Sequence, residues 1–123
     1  MRTLFFLLTF LSFETFALEI VPYSDKAVSE ASSKEAPYAI EFFAEWCLIC
    51  QQQKFMIGEL NKNDKFDKMT VFVADFDFEK ALKIKYKVER QSTVILFRSG
   101  EEIDRTLGLK DKDKLAEQFA KGL

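Results

Sequence analysis

The chain has 123 residues, 48% of them apolar and 31% charged, with 18 basic against 20 acidic side chains and a formal net charge of −2. That is enough for one globular domain and not for two; it lacks the low hydrophobicity of a disordered chain and offers no basic surplus for binding nucleic acid. Histidine is absent, which removes any Ser-His-Asp triad, Cys-His dyad or imidazole-ligated metal site and leaves acid–base chemistry to carboxylates, thiols, amines and phenols.

Arg2 precedes an apolar run from Leu4 to Phe13, and Thr15-Phe16-Ala17 sets small residues three and one positions before a cleavage point. Residues 1–17 are therefore expected to form a secretory signal peptide, leaving 18–123 as a domain in a periplasmic or other extracytoplasmic, oxidising compartment. Retention as a membrane anchor is the alternative. About 20 apolar residues are needed to cross a bilayer, however, and Glu14 interrupts this stretch earlier. Leu18 is not a cysteine, which argues against a lipoprotein.

Glu19 to Pro22 suits a short edge strand, and Ser24 or Asp25 can cap a helix reaching Lys34, before Pro37. Tyr38 to Ala44 is a nearly continuous apolar run, the pattern of a central strand covered on both faces. From Cys47 to Asn61 the apolar positions Ile49, Cys50, Met56, Ile57 and Leu60 recur at helical spacing, with Gln51, Gln52, Lys54 and Glu59 expected to face away. Met69 to Ala74 reads as a buried strand, Phe78 to Tyr86 as a short helix with Asp77 at its N-cap, and Thr93 to Phe97 as a strand. Arg98 to Glu101 is a hairpin turn, and Glu102 to Leu107 closes it. The last helix, Asp111 to Leu123, should bury Leu115, Phe119 and Leu123. The resulting order, β-α-β-α-β-α-β-β-α, predicts an α/β domain with a mixed sheet flanked by helices, whose function gathers at carboxyl ends of strands.

The only two cysteines, Cys47 and Cys50, fall at such an end. A sulfur at the first turn of a helix faces unsatisfied backbone N–H groups and the positive end of the macrodipole, which favours the thiolate; Cys47 is the expected nucleophile. Cys50, one turn on along the same face, can close a disulfide with Cys47 or resolve a mixed disulfide formed there. A purely structural disulfide is an alternative, but so short a loop restrains little chain entropy. Half of a zinc site is another, although zinc requires about four ligands and this chain has two thiols and no imidazole. Glu41 lies within the buried strand, where an unpaired charge is costly, so it should be protonated, paired or solvated unless strand phase turns it to solvent. Trp46, next to Cys47, can shield the sulfurs or simply fill core.

Phe42-Phe43-Ala44-Glu45-Trp46-Cys47-Leu48-Ile49-Cys50 resembles the active-site segment of thioredoxins and thioredoxin-like domains, and the likeness continues through Asp77, Tyr86, Val88, the hairpin and Gly108. The resemblance implies a thioredoxin fold with four to five strands and helices on both faces, and thiol–disulfide exchange without a cofactor or metal. Its partners would be protein thiols or disulfides, with a membrane disulfide reductase or oxidase as a candidate electron partner, and the chain would be a monomer. It also assigns Glu41 the place of the family's buried acid, the proton acceptor for Cys50.

Three features depart from that pattern. Ser92 stands before Thr93 where the family carries a cis-proline that lies against the cysteines and holds an edge for substrate backbone; a trans Gln91–Ser92 bond is the expectation, because a non-proline cis bond costs about 2.5–4 kcal/mol. Leu48-Ile49 is neither Gly-Pro nor Pro-His, so the direction of electron flow stays open. Val73 replaces a common lysine and should leave Glu41 without that cation. These departures keep a rival in view: a non-catalytic binding module of the same fold with a static Cys47–Cys50 disulfide. Asp75, Asp77 and Glu79 on alternate residues suit a strand exit better than a cation site, and Lys80, Lys83, Lys85, Lys87 and Arg90 suit a solvated face better than a docking patch.

Overall fold

A computed structural model describes residues 17–123, so residues 1–16 of the expected signal peptide lie outside the described residues. The elements follow in chain order as β1 (Glu19–Pro22), α1 (Asp25–Ser32), β2 (Tyr38–Phe43), α2 (Leu48–Leu60), β3 (Thr70–Asp75), α3 (Lys80–Tyr86), β4 (Thr93–Arg98), β5 (Glu101–Leu107) and α4 (Lys112–Ala120). A single 3-10 turn at Asp64–Phe66, absent from the sequence expectations, plugs Phe66 into the core below α2. The strands pair in the order β1-β3-β2-β4-β5, with β1, β3 and β2 mutually parallel and β4 and β5 antiparallel.

The apolar run of β2 is central as expected, and all six of its residues are buried. Alternation splits them between two layers. Tyr38, Ile40 and Phe42 join Val28 of α1 and Leu82 of α3 on one face, where Tyr38 stacks on Phe97 with ring centroids 5.1 Å apart. Ala39 packs on the other face with Met56, Ile57 and Leu60 of α2 and Leu115 and Phe119 of α4. Each such fully buried aliphatic or aromatic side chain contributes about 1.5–3 kcal/mol. Glu41 shares the phase of Ala39, so its side chain projects toward α2, between neighbours Val73 of β3 and Val94 of β4 in register.

Helix starts follow side-chain caps. Ser24 Oγ accepts from Ala27 N–H, and Asp111 accepts from the N–H groups of Asp113 and Lys114. The hairpin turn places Ser99 and Gly100 in left-handed conformations, at φ 52° and 80°. Two expectations need correction. Asp77 is not an N-cap: α3 begins at Lys80, after Glu79, which makes no side-chain cap, and Asp75 instead accepts from the N–H groups of Asp77 and Phe78. The last helix stops at Ala120, so Leu123 lies beyond it, half exposed.

Candidate active site

Cys47 forms the N-cap of α2, with extended backbone, and its Sγ accepts the N–H of Cys50 at 3.1 Å. The turn that delivers it is closed by Cys47 N–H donating to Ala44 O. Both cysteines are free thiols and both are buried, Cys50 completely. Cys50 directs its sulfur toward Phe42 O at 3.9 Å, and burial, reinforced by its contact with Cys47, pushes its thiol up to about 12. Cys50 therefore cannot react as a thiolate near neutrality until a base removes its proton.

Glu41 is a buried acid, 1% exposed, and its Oε1 has no hydrogen-bond partner among the described residues. Burial raises it from 4.5 to about 7, with Lys54 opposing the rise. Lys54, expected to face away, has an exposed side chain that nevertheless lines a cavity of about 210 Å³ together with Glu41, Glu45 and Phe43. Val73 leaves Glu41 without the lysine that the family commonly carries there, as expected, while Lys54, which makes no salt bridge with Glu41, lines the same cavity from α2. The signal was available, since Lys54 is four residues after Cys50 and so on the same side of α2.

Ser92 is buried, and the described residues contain no cis peptide bond. Its φ is +62°, a left-handed conformation that costs a β-carbon-bearing residue about 1–2 kcal/mol. Three hydrogen bonds hold it there. Ser92 N–H donates to Phe42 O at 2.8 Å, the carbonyl that Cys50 also faces, while Ser92 O accepts from Gly108 N–H at 3.0 Å and from Gln53 Nε2 at 3.1 Å. Gln53 was missed by sequence reasoning. It is fully buried, and its Nε2 also donates to Leu109 O, so it ties α2 to the segments before β4 and after β5. Spacing alone could have found it, three residues beyond Cys50 on the buried face of α2. Thr93 donates its hydroxyl to Arg90 O at 2.7 Å and braces the same loop.

Trp46 is 61% exposed and belongs to no core cluster; its indole Nε1–H donates to Asp77 Oδ2 at 2.7 Å. That bond fixes the ring beside Cys47, with Leu48 and Phe78 also exposed. The acidic stretch is thus spent on turn capping and on holding Trp46. No group of three or more His, Cys, Asp or Glu side chains able to hold a metal ion occurs among the described residues.

A five-stranded sheet that sets a Trp-Cys-x-x-Cys segment at the start of a helix, with a buried acid behind it, defines a thiol–disulfide oxidoreductase. Residues 19–121 match the thioredoxin family model. The chain is 35% identical over 82 residues to a thioredoxin of Chlamydia trachomatis, covering 67% of this chain and 78% of that protein. It is 34% identical over 95 residues to a thioredoxin of Rickettsia bellii, covering 76% and 90%. Among solved structures, Trxlp from Edwardsiella tarda superposes with a TM-score of 0.78 at 32% identity, covering 80% of this chain and 96% of that one. The chain belongs to the thioredoxin family.

Proposed function

We propose that this family member works outside the cytoplasm as a monomer that exchanges disulfides with protein substrates through Cys47, Cys50 and Glu41. The observation that carries the division of labour is the contrast between the two sulfurs: one caps a helix and accepts a backbone N–H, the other is fully buried with its proton held firmly. Cys47 as thiolate attacks a substrate disulfide, forming a Cys47–substrate disulfide and releasing one substrate thiolate, which takes up a proton. Glu41 as carboxylate accepts the proton of Cys50, whose sulfur then attacks Cys47. The second substrate thiolate leaves and is protonated; the substrate gains two electrons and the chain ends as the Cys47–Cys50 disulfide. The same steps run backward oxidise a dithiol, so the electron partner, for which a membrane disulfide reductase or oxidase is suited, sets the direction.

Export rests on Arg2, the apolar run from Leu4 to Phe13 and the small residues Thr15 and Ala17. The test uses the full chain, expressed with residues 1–17 and carrying Cys50→Ser, and recovers disulfide-linked clients after acid quenching. Mixed disulfides through Cys47 with extracytoplasmic proteins, on a chain whose first residue is Leu18, are the expected result. Clients confined to the cytoplasm, or no adduct while the Cys47→Ser control behaves identically, would overturn the reading.

A further inference from the structure

Two energetic costs are concentrated around one loop residue. Ser92 is held at φ +62°, left-handed although it carries a β-carbon, and the completely buried Gln53 that braces it leaves its own Oε1 without a hydrogen-bond partner among the described residues. Strained backbone persists only where its surroundings over-determine it, and it clusters at functional sites. Here both costs serve the contact of one oxygen atom. Ser92 N–H donates to Phe42 O at 2.8 Å, and that same oxygen faces Cys50 Sγ at 3.9 Å. On the other side of Ser92, its carbonyl accepts from Gln53 Nε2 at 3.1 Å and from Gly108 N–H at 3.0 Å. Gln53 lies three residues beyond Cys50 on α2, so the helix that carries the second sulfur also braces the donor to the carbonyl facing that sulfur.

A carbonyl oxygen turned toward a thiol accepts its proton and repels the thiolate that would form; a second donor on that oxygen competes with the S–H and offsets the repulsion. Cys50 has little other help. Burial, Cys47 and Glu41 all favour its thiol form, and only the backbone of Ala44 favours the thiolate. Resting on the reading of Cys50 as the resolving thiol, we propose that Ser92 and Gln53 are positioning residues for the resolving step: the Ser92 N–H occupies the Phe42 carbonyl and so frees the Cys50 sulfur to lose its proton and attack Cys47, while Gln53 holds Ser92 in the conformation that aims the N–H. A proline at this position would have no N–H to give, so the device exists only because serine stands there.

The test deletes that one N–H by exchanging the Gln91–Ser92 amide for a backbone ester, with the α-hydroxy acid of serine at position 92. The reduced chain then reacts in stopped flow with excess 5,5′-dithiobis(2-nitrobenzoate). The first thionitrobenzoate released reports attack by Cys47; the second, at a rate independent of reagent concentration, reports displacement by Cys50. The ester should slow the second phase about three- to ten-fold with the first unchanged, and Gln53→Leu should slow it about two- to three-fold but add nothing to the ester. Ser92→Gly, which keeps the N–H and accepts the left-handed backbone, should retain the second phase. In a Cys47→Ser chain, where Cys50 is the sole thiol, the ester and Gln53→Leu should each move the infrared S–H stretch to lower wavenumber, because the Phe42 oxygen turns to the S–H; loosened packing alone would not do this. An unmoved S–H band and an unslowed second phase in the ester refute the role of Ser92. If the ester chain does not fold, the same two readouts on Gln53→Leu decide. A Gln53→Leu effect that persists in full on the ester refutes the placing of Gln53. A second phase that survives Cys50→Ser refutes the resolving assignment itself, and this inference with it.

Discussion

Replacing Glu41 with glutamine converts a buried ionisable group into a neutral one, and the structure fixes both the size and the pH window of the effect. Glu41 is raised from 4.5 to about 7, chiefly by burial. The folded chain therefore holds a proton between those values that the unfolded chain has released, and its stability falls as pH rises through the window. The favourable contribution is complete below about 4.5 and lost above about 7, a difference of about 3 kcal/mol. Against a total stability of about 5–15 kcal/mol that is a large share. Urea unfolding of the parent and of Glu41→Gln at pH 5, 6, 7 and 8 isolates the term, because every other titrating group is common to both. The variant should gain about 2–3 kcal/mol relative to the parent between pH 5 and pH 8, although at pH 5 it can be the less stable, since its amide also finds few partners. A stability difference that stays constant with pH, or that moves in the parent's favour as pH rises, would show that Glu41 is not a desolvated acid and would remove the basis for its role with Cys50.

Ser92→Pro should lower stability by about 3–5 kcal/mol, read as a fall in Tm of more than ten degrees, because proline fixes φ near −65° and has no N–H to give Phe42 O; Ser92→Gly, which accepts φ +62°, should stay within about 1 kcal/mol. A proline variant that melts with the parent would mean the left-handed loop is dispensable. Gln53→Ala should cost about 2–4 kcal/mol by opening a small void and leaving the carbonyls of Ser92 and Leu109 short of a donor, and should raise amide hydrogen exchange at Gly108; unaltered exchange there would contradict the clamp.

The elements were legible because their signals are local. Continuous burial marked β2, Ser24 and Asp111 marked helix starts, and Ser99-Gly100 marked a turn requiring left-handed backbone. The Trp-Cys-x-x-Cys segment was legible for the same reason. What escaped depends on partners distant in sequence. Ser92 was placed at the site by the resemblance, but its left-handed backbone was not legible, because Phe42, Gly108 and Gln53 hold it there. Asp77 looks like a cap by position, but the indole of Trp46, 31 residues earlier, claims its carboxylate. Lys54 was sorted to solvent by polarity, although a long aliphatic stem lets one residue be both exposed and close to a buried acid.

The parallel direction of β1, β3 and β2 sets how the domain can be held. Cys47 follows the carboxyl end of β2, whereas the chain enters β1 at Glu19 from the opposite end of the sheet, beside Tyr38 and Thr70, with Leu18 already sunk in the core. A strand of six residues spans about 20 Å, so the entry point and the thiols occupy opposite poles. Anything joined before residue 17 is attached at the pole remote from the chemistry. The domain would then present its reactive sulfur outward, like a hand at the end of an arm, and a surface or neighbouring domain at its base would leave the approach of a client disulfide unobstructed.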